Sequence, residues 1–327
     1  MRVLVAGGTG AVGAPLVRQL VERGHQVTAT TRHPDKLDRL RRLGATAVLM
    51  DGLDAASVGE TVARAEPEAI VHQMTALSGT PDMRHFDRWF RATNALRTTG
   101  TRHLLAAAQA AGVTRFLAQS YTGWTVARTS SAPATEDEML DPNPLPAQRE
   151  TLTAIRVLEL DVLGAPLTGI VLRYGSFYGA GVWDALVAMV RKRMLPVIGE
   201  GAGMWSWIHV DDAATATIAA LERGEHGIYN VVDDEPARAS EWIPHLADLA
   251  GAKPPLHVPV WLGRLLAGDV VVRMMTEARG VSNEKTKWVL DWRPRWPSWR
   301  DGFRHALGPT PARAAQRLAT TRGGAAA

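Results

Sequence analysis

The chain has 327 residues, 46% of them apolar and 21% charged. That is enough apolar sequence for one large domain or two coupled ones, and it excludes global disorder. The net charge of +4 suits an anionic ligand such as a phosphorylated cofactor, but the basic residues form no clustered face of the kind nucleic acid requires. The densest run, Arg39 to Arg42, reads as a solvated helix face. Cysteine is absent, which excludes a disulfide framework, a zinc ribbon and a cysteine nucleophile. The sequence starts on a strand pattern without the layout of a signal peptide, and no run of about 18 residues is apolar throughout. A cytoplasmic protein without a membrane segment is expected; Val258 to Met275 reads as an amphipathic helix packed on the protein.

In chain order, Val3 to Ala6 predicts a first strand, Ala11 to Arg23 a helix closed by Gly24, and Gln26 to Thr31 a second strand. A helix over Pro34 to Leu43 and a short strand at Ala47 to Met50 come next. Ala69 to His72 predicts a fourth strand, Asn94 to Ala111 a long helix, and Arg115 to Gln119 a fifth strand. Ala132 to Pro146, rich in Pro and acidic residues, predicts a loop; Leu152 to Leu163 a helix; Gly169 to Arg173 a sixth strand. Strands alternating with helices predict a parallel sheet wrapped on both faces. Beyond Trp183 turns are denser and tryptophan is concentrated, which fits either an aromatic-lined pocket or ordinary core. Residues 309–327, rich in Ala, Arg and Gly, predict a disordered tail.

The first chemical signal is Gly7-Gly8-Thr9-Gly10-Ala11-Val12-Gly13, placed between the first strand and the first helix. Glycine there allows a tight turn and close approach of a pyrophosphate, while the helix start offers free N–H groups and a positive dipole end. At the end of the second strand an NAD site carries an acid for the ribose 2′-hydroxyl; here stand Thr31 and Arg32, with His33 and Lys36 close by. Arg32 can grip a 2′-phosphate through two parallel hydrogen bonds, so NADP(H) is the expected cofactor.

These features, with others further on, resemble the extended short-chain dehydrogenase/reductases, the NAD-dependent epimerase/dehydratase family. Met50-Asp51-Gly52 resembles its adenine-contacting pair, and Ile70-Val71-His72-Gln73-Met74-Thr75 its fourth-strand motif. Gly100-Thr101 with Leu104-Leu105 resembles its long fourth helix, and Leu172-Arg173-Tyr174-Gly175 to Tyr178-Gly179 the passage into its substrate domain. Ser206 to Asp212, Gly227 to Val231 and Leu290-Asp291-Trp292-Arg293-Pro294 resemble later motifs, the last with Asp291 where the family has Gly. The resemblance implies an α/β fold: a doubly wound parallel Rossmann sheet over residues 1–173 plus roughly 206–233, and a smaller discontinuous substrate domain over 174–205 and 234–308. It implies contacts to the cofactor from Gly7, Thr9, Gly10, Ala11, Val12, Gly13, Thr31, Arg32, Asp51, Gly52, Met74, Thr75 and Gly175, and a homodimer through the helices near Asn94 and Leu152. It makes His209, Asp211 and Asp212 a helix start capped by Asp, not a metal site.

One part of the family pattern is missing. Its members move a proton through a Tyr whose pKa is lowered by a Lys one helical turn later. None of the four tyrosines, Tyr121, Tyr174, Tyr178 and Tyr229, has Lys four positions on, and no Lys stands between Lys36 and Lys192. Aligning the helix on Glu159 puts Thr151 and Ile155 at the two positions, and neither can carry a proton at neutral pH. Tyr121, at the end of the fifth strand, is the leading substitute, as a neutral hydrogen-bond donor, with Ser120 and Thr122 as carbonyl-orienting groups; Tyr121 can equally pack or orient a substrate. Tyr178, Trp205, Arg149 and Glu150 are candidates for substrate contact, the last two competing with a helix-start role. The expected function is an NADP(H)-dependent oxidoreductase with a nonstandard proton donor, acting on a small or polycyclic organic molecule. The alternatives are a redox-neutral isomerase, dehydratase or cyclase, and a non-catalytic NADP(H) sensor.

Overall fold

The computed structural model describes residues 1–77, 82–128 and 130–308. The tail expected at 309–327 lies outside the described residues. Seven strands form one sheet: β1 (Arg2–Ala6), β2 (Gln26–Thr31), β3 (Thr46–Leu49), β4 (Ala69–His72), β5 (Arg115–Tyr121), β6 (Thr168–Tyr174) and, after four short strands, β11 (Gly227–Val231). Their order across the sheet is β11-β6-β5-β4-β1-β2-β3, and every pairing is parallel. A parallel neighbour can be reached only by a crossover, and helices supply it: α1 (Gly13–Glu22), α2 (Leu37–Arg42), α3 (Ala55–Ala65), α4 (Phe86–Ala95), α5 (Thr101–Ala110), α6 (Arg149–Leu163) and α8 (Val210–Arg223).

The strands read as continuous apolar runs because both faces are covered. In β1, Val3 and Val5 pack with Leu16, Val17 and Leu20 of α1 and the alanine-rich face of α8, while Leu4 and Ala6 pack with Val58 and Val62 of α3 and Leu104 of α5. Helix α3 falls where the sequence predicted no element. Its buried stripe is only Val58, Thr61 and Val62, too narrow to stand out in the pattern, and its start is fixed instead by the Asp54 side chain, which accepts from the Ala56 and Ser57 amides. The helix expected from Asn94 begins earlier, at Phe86, and is interrupted by a π turn at Leu96–Gly100 before α5.

The remaining elements build a smaller C-terminal region. They are β7 (Ser176–Tyr178), α7 (Asp184–Arg191), β8 (Val197–Ile198), β9 (Met204–Trp205), β10 (Trp207–His209), β12 (Ala237–Arg238), α9 (Ala239–Leu249), β13 (His257–Val258) and helices α10 (Val260–Ala267), α11 (Asp269–Thr276) and α13 (Trp299–Leu307), whereas α12 (Glu284–Leu290) packs on α8 and β11 of the main sheet. Its core is aromatic: Trp183, Trp207, Trp242 and Trp299 are buried with Tyr178 and Phe303. Of the two readings of the tryptophan density, ordinary core is the one these four satisfy. Among the described residues, no helix is long and apolar enough to cross a membrane.

One buried ion pair fixes α6 against the sheet. Arg173 of β6 donates two hydrogen bonds to Glu159 of α6, at 2.8 and 2.7 Å, and Ser120 of β5 donates a third at 2.7 Å. All three side chains are buried. Removing one partner would strand a charge away from water, so Glu159→Ala is expected to destabilise the fold by about 3–5 kcal/mol. Urea unfolding measures this, and a loss below about 1 kcal/mol, the level of an exposed pair, would contradict it.

Candidate active site

The order of strands reverses between β1 and β4, so the loops at their carboxyl ends run to opposite sides and leave a crevice. The cleft there has a volume of about 1410 Å³. Its lining comes from the turns after β1, β2, β3 and β4, the end of β5, the turn after β6 and helix α4, with Ile155 of α6, the start of α8 and, from the C-terminal region, Leu186 and Met189 of α7 and His305 of α13.

At the glycine turn, Gly7 has φ +92°, and a Cβ there would lie 2.8 Å from the Gln73 carbonyl oxygen. A Cβ on Gly13 would lie 2.2 Å from the Gly7 oxygen. Gly13 therefore lets α1 pack under the turn but does not itself line the cleft, which corrects its expected place among the contact residues. Gly10 is different: its nearest neighbour would be the Gly7 oxygen at 3.3 Å, and its open side faces the cleft. Thr9, Ala11 and Val12 line the same corner, and α1 begins with no side-chain cap on its amides. A glycine cradle at an uncapped helix start fits a pyrophosphate.

Further along, Thr31, Arg32, His33, Lys36 and Arg39 form a basic rim. Arg32 is exposed, with its Nε 3.2 Å from His33 Nε2. Across from it lie Asp51 and Gly52. Gly52 is tied to Met74, whose sulfur would sit 2.6 Å from a Cβ at that position. Met74 and Thr75 line the cleft, as does Gly175, where a Cβ would meet the Ser206 oxygen at 2.5 Å. Apart from Gly13, then, every residue expected to touch the cofactor borders one cavity, and the set fits a dinucleotide from adenine end to nicotinamide end.

The far end is aromatic. Tyr121 faces the cleft beside Trp124, Ile155, Phe86, Trp89 and Phe90. Its hydroxyl is 3.2 Å from Ser176 Oγ, and burial raises its pKa, so it is a neutral donor at physiological pH. Strand alternation separates it from its neighbours. Phe116, Ala118 and Ser120 share the face toward α6, so the Ser120 hydroxyl is spent on Glu159 and does not reach the cleft. Thr122 is fully buried behind the turn and is likewise not in the lining. Neither can orient a substrate carbonyl from there, which corrects their expected role.

Five more expectations are corrected. Tyr178 is sealed in the C-terminal core, where its hydroxyl donates to Asp233 at 3.1 Å. Trp205 stacks on Trp207, and its indole N–H donates to the Met274 carbonyl; it does not border the cleft. Arg149 and Glu150 are exposed at the outer start of α6. The Asp87 carboxylate of α4 accepts the Glu150 and Thr151 amides and the Thr151 hydroxyl, the last at 2.6 Å, so Thr151 serves the helix start. At the start of α8 the cap is His209, not Asp: its Nδ1 accepts the Asp211 N–H at 3.1 Å, and burial lowers its pKa to about 4.

Phe86, Trp89, Phe90, Arg97, Gln119 and Trp124 also border the cleft, although none was expected there from the sequence. The clustered aromatics at 86–90 were the available signal, since they recur on one side of a helix turn.

The NAD dependent epimerase/dehydratase family profile matches residues 3–232. A 3-diazoavenalumate denitrifying reductase from Streptomyces sp is 41% identical over 310 residues, covering 93% of this chain and 99% of that protein. A 2-alkyl-3-oxoalkanoate reductase from Stenotrophomonas maltophilia is 28% identical over 77% of this chain and 76% of its own length. Among solved structures, the UDP-glucose 4-epimerase of Thermotoga maritima with UDP-glucose superposes with a TM-score of 0.74 at 22% identity, covering 97% of this chain and 100% of that one. A human epimerase family protein with NADPH gives a TM-score of 0.72 at 21% identity, covering 95% and 100%. At these identities the superpositions establish the fold.

The geometry of the glycine turn makes a specific expectation. Gly10→Val should leave the fold intact, because only the Gly7 oxygen crowds the new Cβ, yet its methyl groups would occupy the pyrophosphate corner. NADPH binding, measured by fluorescence titration, should be lost while circular dichroism is unchanged. Retained affinity would place the cofactor elsewhere.

Proposed function

The chain belongs to the NAD-dependent epimerase/dehydratase family and is an NAD(P)-dependent oxidoreductase, and from that premise we propose that it is an NADP(H)-dependent reductase that removes dinitrogen from an aromatic diazo compound. What supports the reading is that Thr151 is held by Asp87 and Ile155 is apolar and borders the cleft, the two positions that alignment on Glu159 matches to the family's Tyr and Lys.

A carbonyl that accepts hydride becomes an alkoxide, and the family's Tyr and Lys exist to meet that charge with a proton. An arenediazonium accepting hydride develops no oxyanion. The hydride electron pair forms a C–H bond, the C–N bond breaks with its electron pair leaving on dinitrogen, and the positive charge is cancelled. Carbon is reduced, nicotinamide is oxidised, and no proton is consumed. An apolar wall in place of the relay therefore costs this reaction nothing. The name of the Streptomyces relative, at 41% identity, supports the same substrate class.

When bound, the reduced nicotinamide supplies the hydride. The chain's own part is to hold and to exclude. Gly10, Ala11 and Val12 accommodate the pyrophosphate, and Arg32 with Lys36 favours a 2′-phosphate over a bare ribose hydroxyl. Tyr121, Trp124, Phe86 and Phe90 offer flat apolar walls to an aromatic ring and keep water from the reactive carbon. Under this reading Tyr121 orients the substrate and need not give up a proton. A homodimer through α4 to α6 accompanies it, supported by the exposed Leu160 on the outer face of α6.

Carbonyl reduction is the competing reading, favoured by the neutral Tyr121 phenol facing the cleft and by the name of the oxoalkanoate reductase relative. The two separate cleanly in the Tyr121→Phe variant. With an arenediazonium substrate, dinitrogen release per NADPH oxidised should be one to one and kcat should fall less than about tenfold. If carbonyl reduction is the activity, ketone turnover should dominate in the parent and fall on the order of a hundredfold in the variant. No dinitrogen release from any arenediazonium would overturn the proposal.

Cofactor preference is testable by itself. Titration should give tighter binding for NADPH than for NADH, and Arg32→Asp should reverse the order by replacing the guanidinium with a repelling carboxylate. Equal affinities in the parent would remove Arg32 from the argument.

A further inference from the structure

Three arginines are buried among the described residues: Arg97, Arg173 and Arg279. Two of them are neutralised. Arg173 grips Glu159 through two hydrogen bonds, and Arg279 does the same with Glu138. Arg97 is the exception. It is 6% exposed, yet no Asp or Glu among the described residues lies within ion-pair distance of it. Residues 78–81, 129 and 309–327 contain no Asp or Glu. Its one hydrogen bond is a long one, Nη1 to Asn94 Oδ1 at 3.5 Å, and its remaining contact is the Phe90 ring, 5.7 Å from Cζ. Asn94 is itself engaged with the Thr151 hydroxyl.

Burial alone would be expensive for such a group. Burial draws its pKa down to about 10, against the attraction of the more distant Glu159 carboxylate, which leaves it cationic at neutral pH. The side chain also borders the cleft, at the aromatic end with Tyr121 and Ile155 and away from the basic rim at Arg32. The walls beside it are flat rings in sequence: Phe90 on Phe86 at 4.5 Å, Phe86 against Trp124 at 5.2 Å, and Trp124 near Tyr121 at 6.3 Å. A forked, unpaired cation at the end of an aromatic slot matches a carboxylate on a planar ring system.

We propose that Arg97 anchors the substrate by its carboxylate, and hence that this protein takes flat aryl acids. The inference deepens the reductase reading and rests on its placing the substrate at this end of the cleft. The guanidinium completes its hydrogen bonding only when the acid arrives, so the same contact that binds the substrate also sets which end of it lies toward Tyr121.

The test uses binding and not turnover, so that its failure is separate from failure of the diazo reaction. Cinnamate and its uncharged amide are titrated into the full chain loaded with NADP+, with tryptophan fluorescence as the readout. The parent should bind the acid at least about thirtyfold more tightly than the amide, the scale of a desolvated charged contact. Arg97→Gln should bring the two to equal affinity with NADP+ affinity unchanged, and Arg97→Lys should restore part of the preference. If Arg97→Gln does not fold, the comparison of acid with amide in the parent and in Arg97→Lys still decides. Equal binding of acid and amide by the parent would overturn the proposal. So would a preference that survives Arg97→Gln, or a loss of NADP+ affinity in that variant with the preference intact, which would assign Arg97 to the cofactor. Discrimination between acid and amide without dinitrogen release would keep the anchor and discard the reaction.

Discussion

Everything functional in this protein depends on the reversal of strand order between β1 and β4. Parallel strands must be joined by right-handed crossovers, so the chain winds one way from β1 toward β3 and the other way from β4 toward β11. The loops leaving β1 and β4 part, and the sheet cannot close the gap with its own side chains. The glycine turn, the basic rim, Asp51, Met74, Tyr121 and Gly175 are all at carboxyl ends of strands, and that is why residues from the first to the sixth strand border one cavity.

Within that cavity the chemistry is graded. The half beneath the glycine turn and Arg32 is polar and built from backbone amides and cations. The other half is lined by rings from α4 and from the turn after β5. Helix α6 adds Ile155 to that aromatic half, and its register is held by Glu159 on Arg173 and Ser120. That register is what presents Ile155 to the cleft and turns Thr151 toward Asp87. On that one helix, Thr151 is tied to Asp87 while Ile155, one turn on, borders the cleft.

Charge placement obeys the same logic. Arg173 and Arg279 are buried as structural pairs, each satisfied by a carboxylate in two-pronged contact. Arg97 is buried on a π turn that interrupts a helix, beside an open cavity, with no carboxylate among the described residues within ion-pair distance and Glu159 attracting it only from further off. A π turn inserts an extra residue and rotates the next helical segment about the axis, a local irregularity often found where a side chain must be aimed at a ligand.

The sequence by itself determined the parallel sheet, the glycine turn, the basic end of β2 and the absence of the Tyr and Lys pair. Each of these is written locally, in apolar runs of strand length, in glycine spacing or in the identity of one residue at a strand end. Only the tertiary structure decided which side chains meet. Ser120 and Tyr121 are neighbours in sequence, yet strand alternation sends one to Glu159 and the other to the cleft. Tyr178 and Trp205 carry the composition of a pocket, but the C-terminal core claims them, while Trp89 and Trp124 from the Rossmann half form the wall instead. Arg97 is one basic residue among many in the sequence. Its significance lies in what surrounds it, and burial and pairing are properties of contacts between distant segments, which no local pattern encodes.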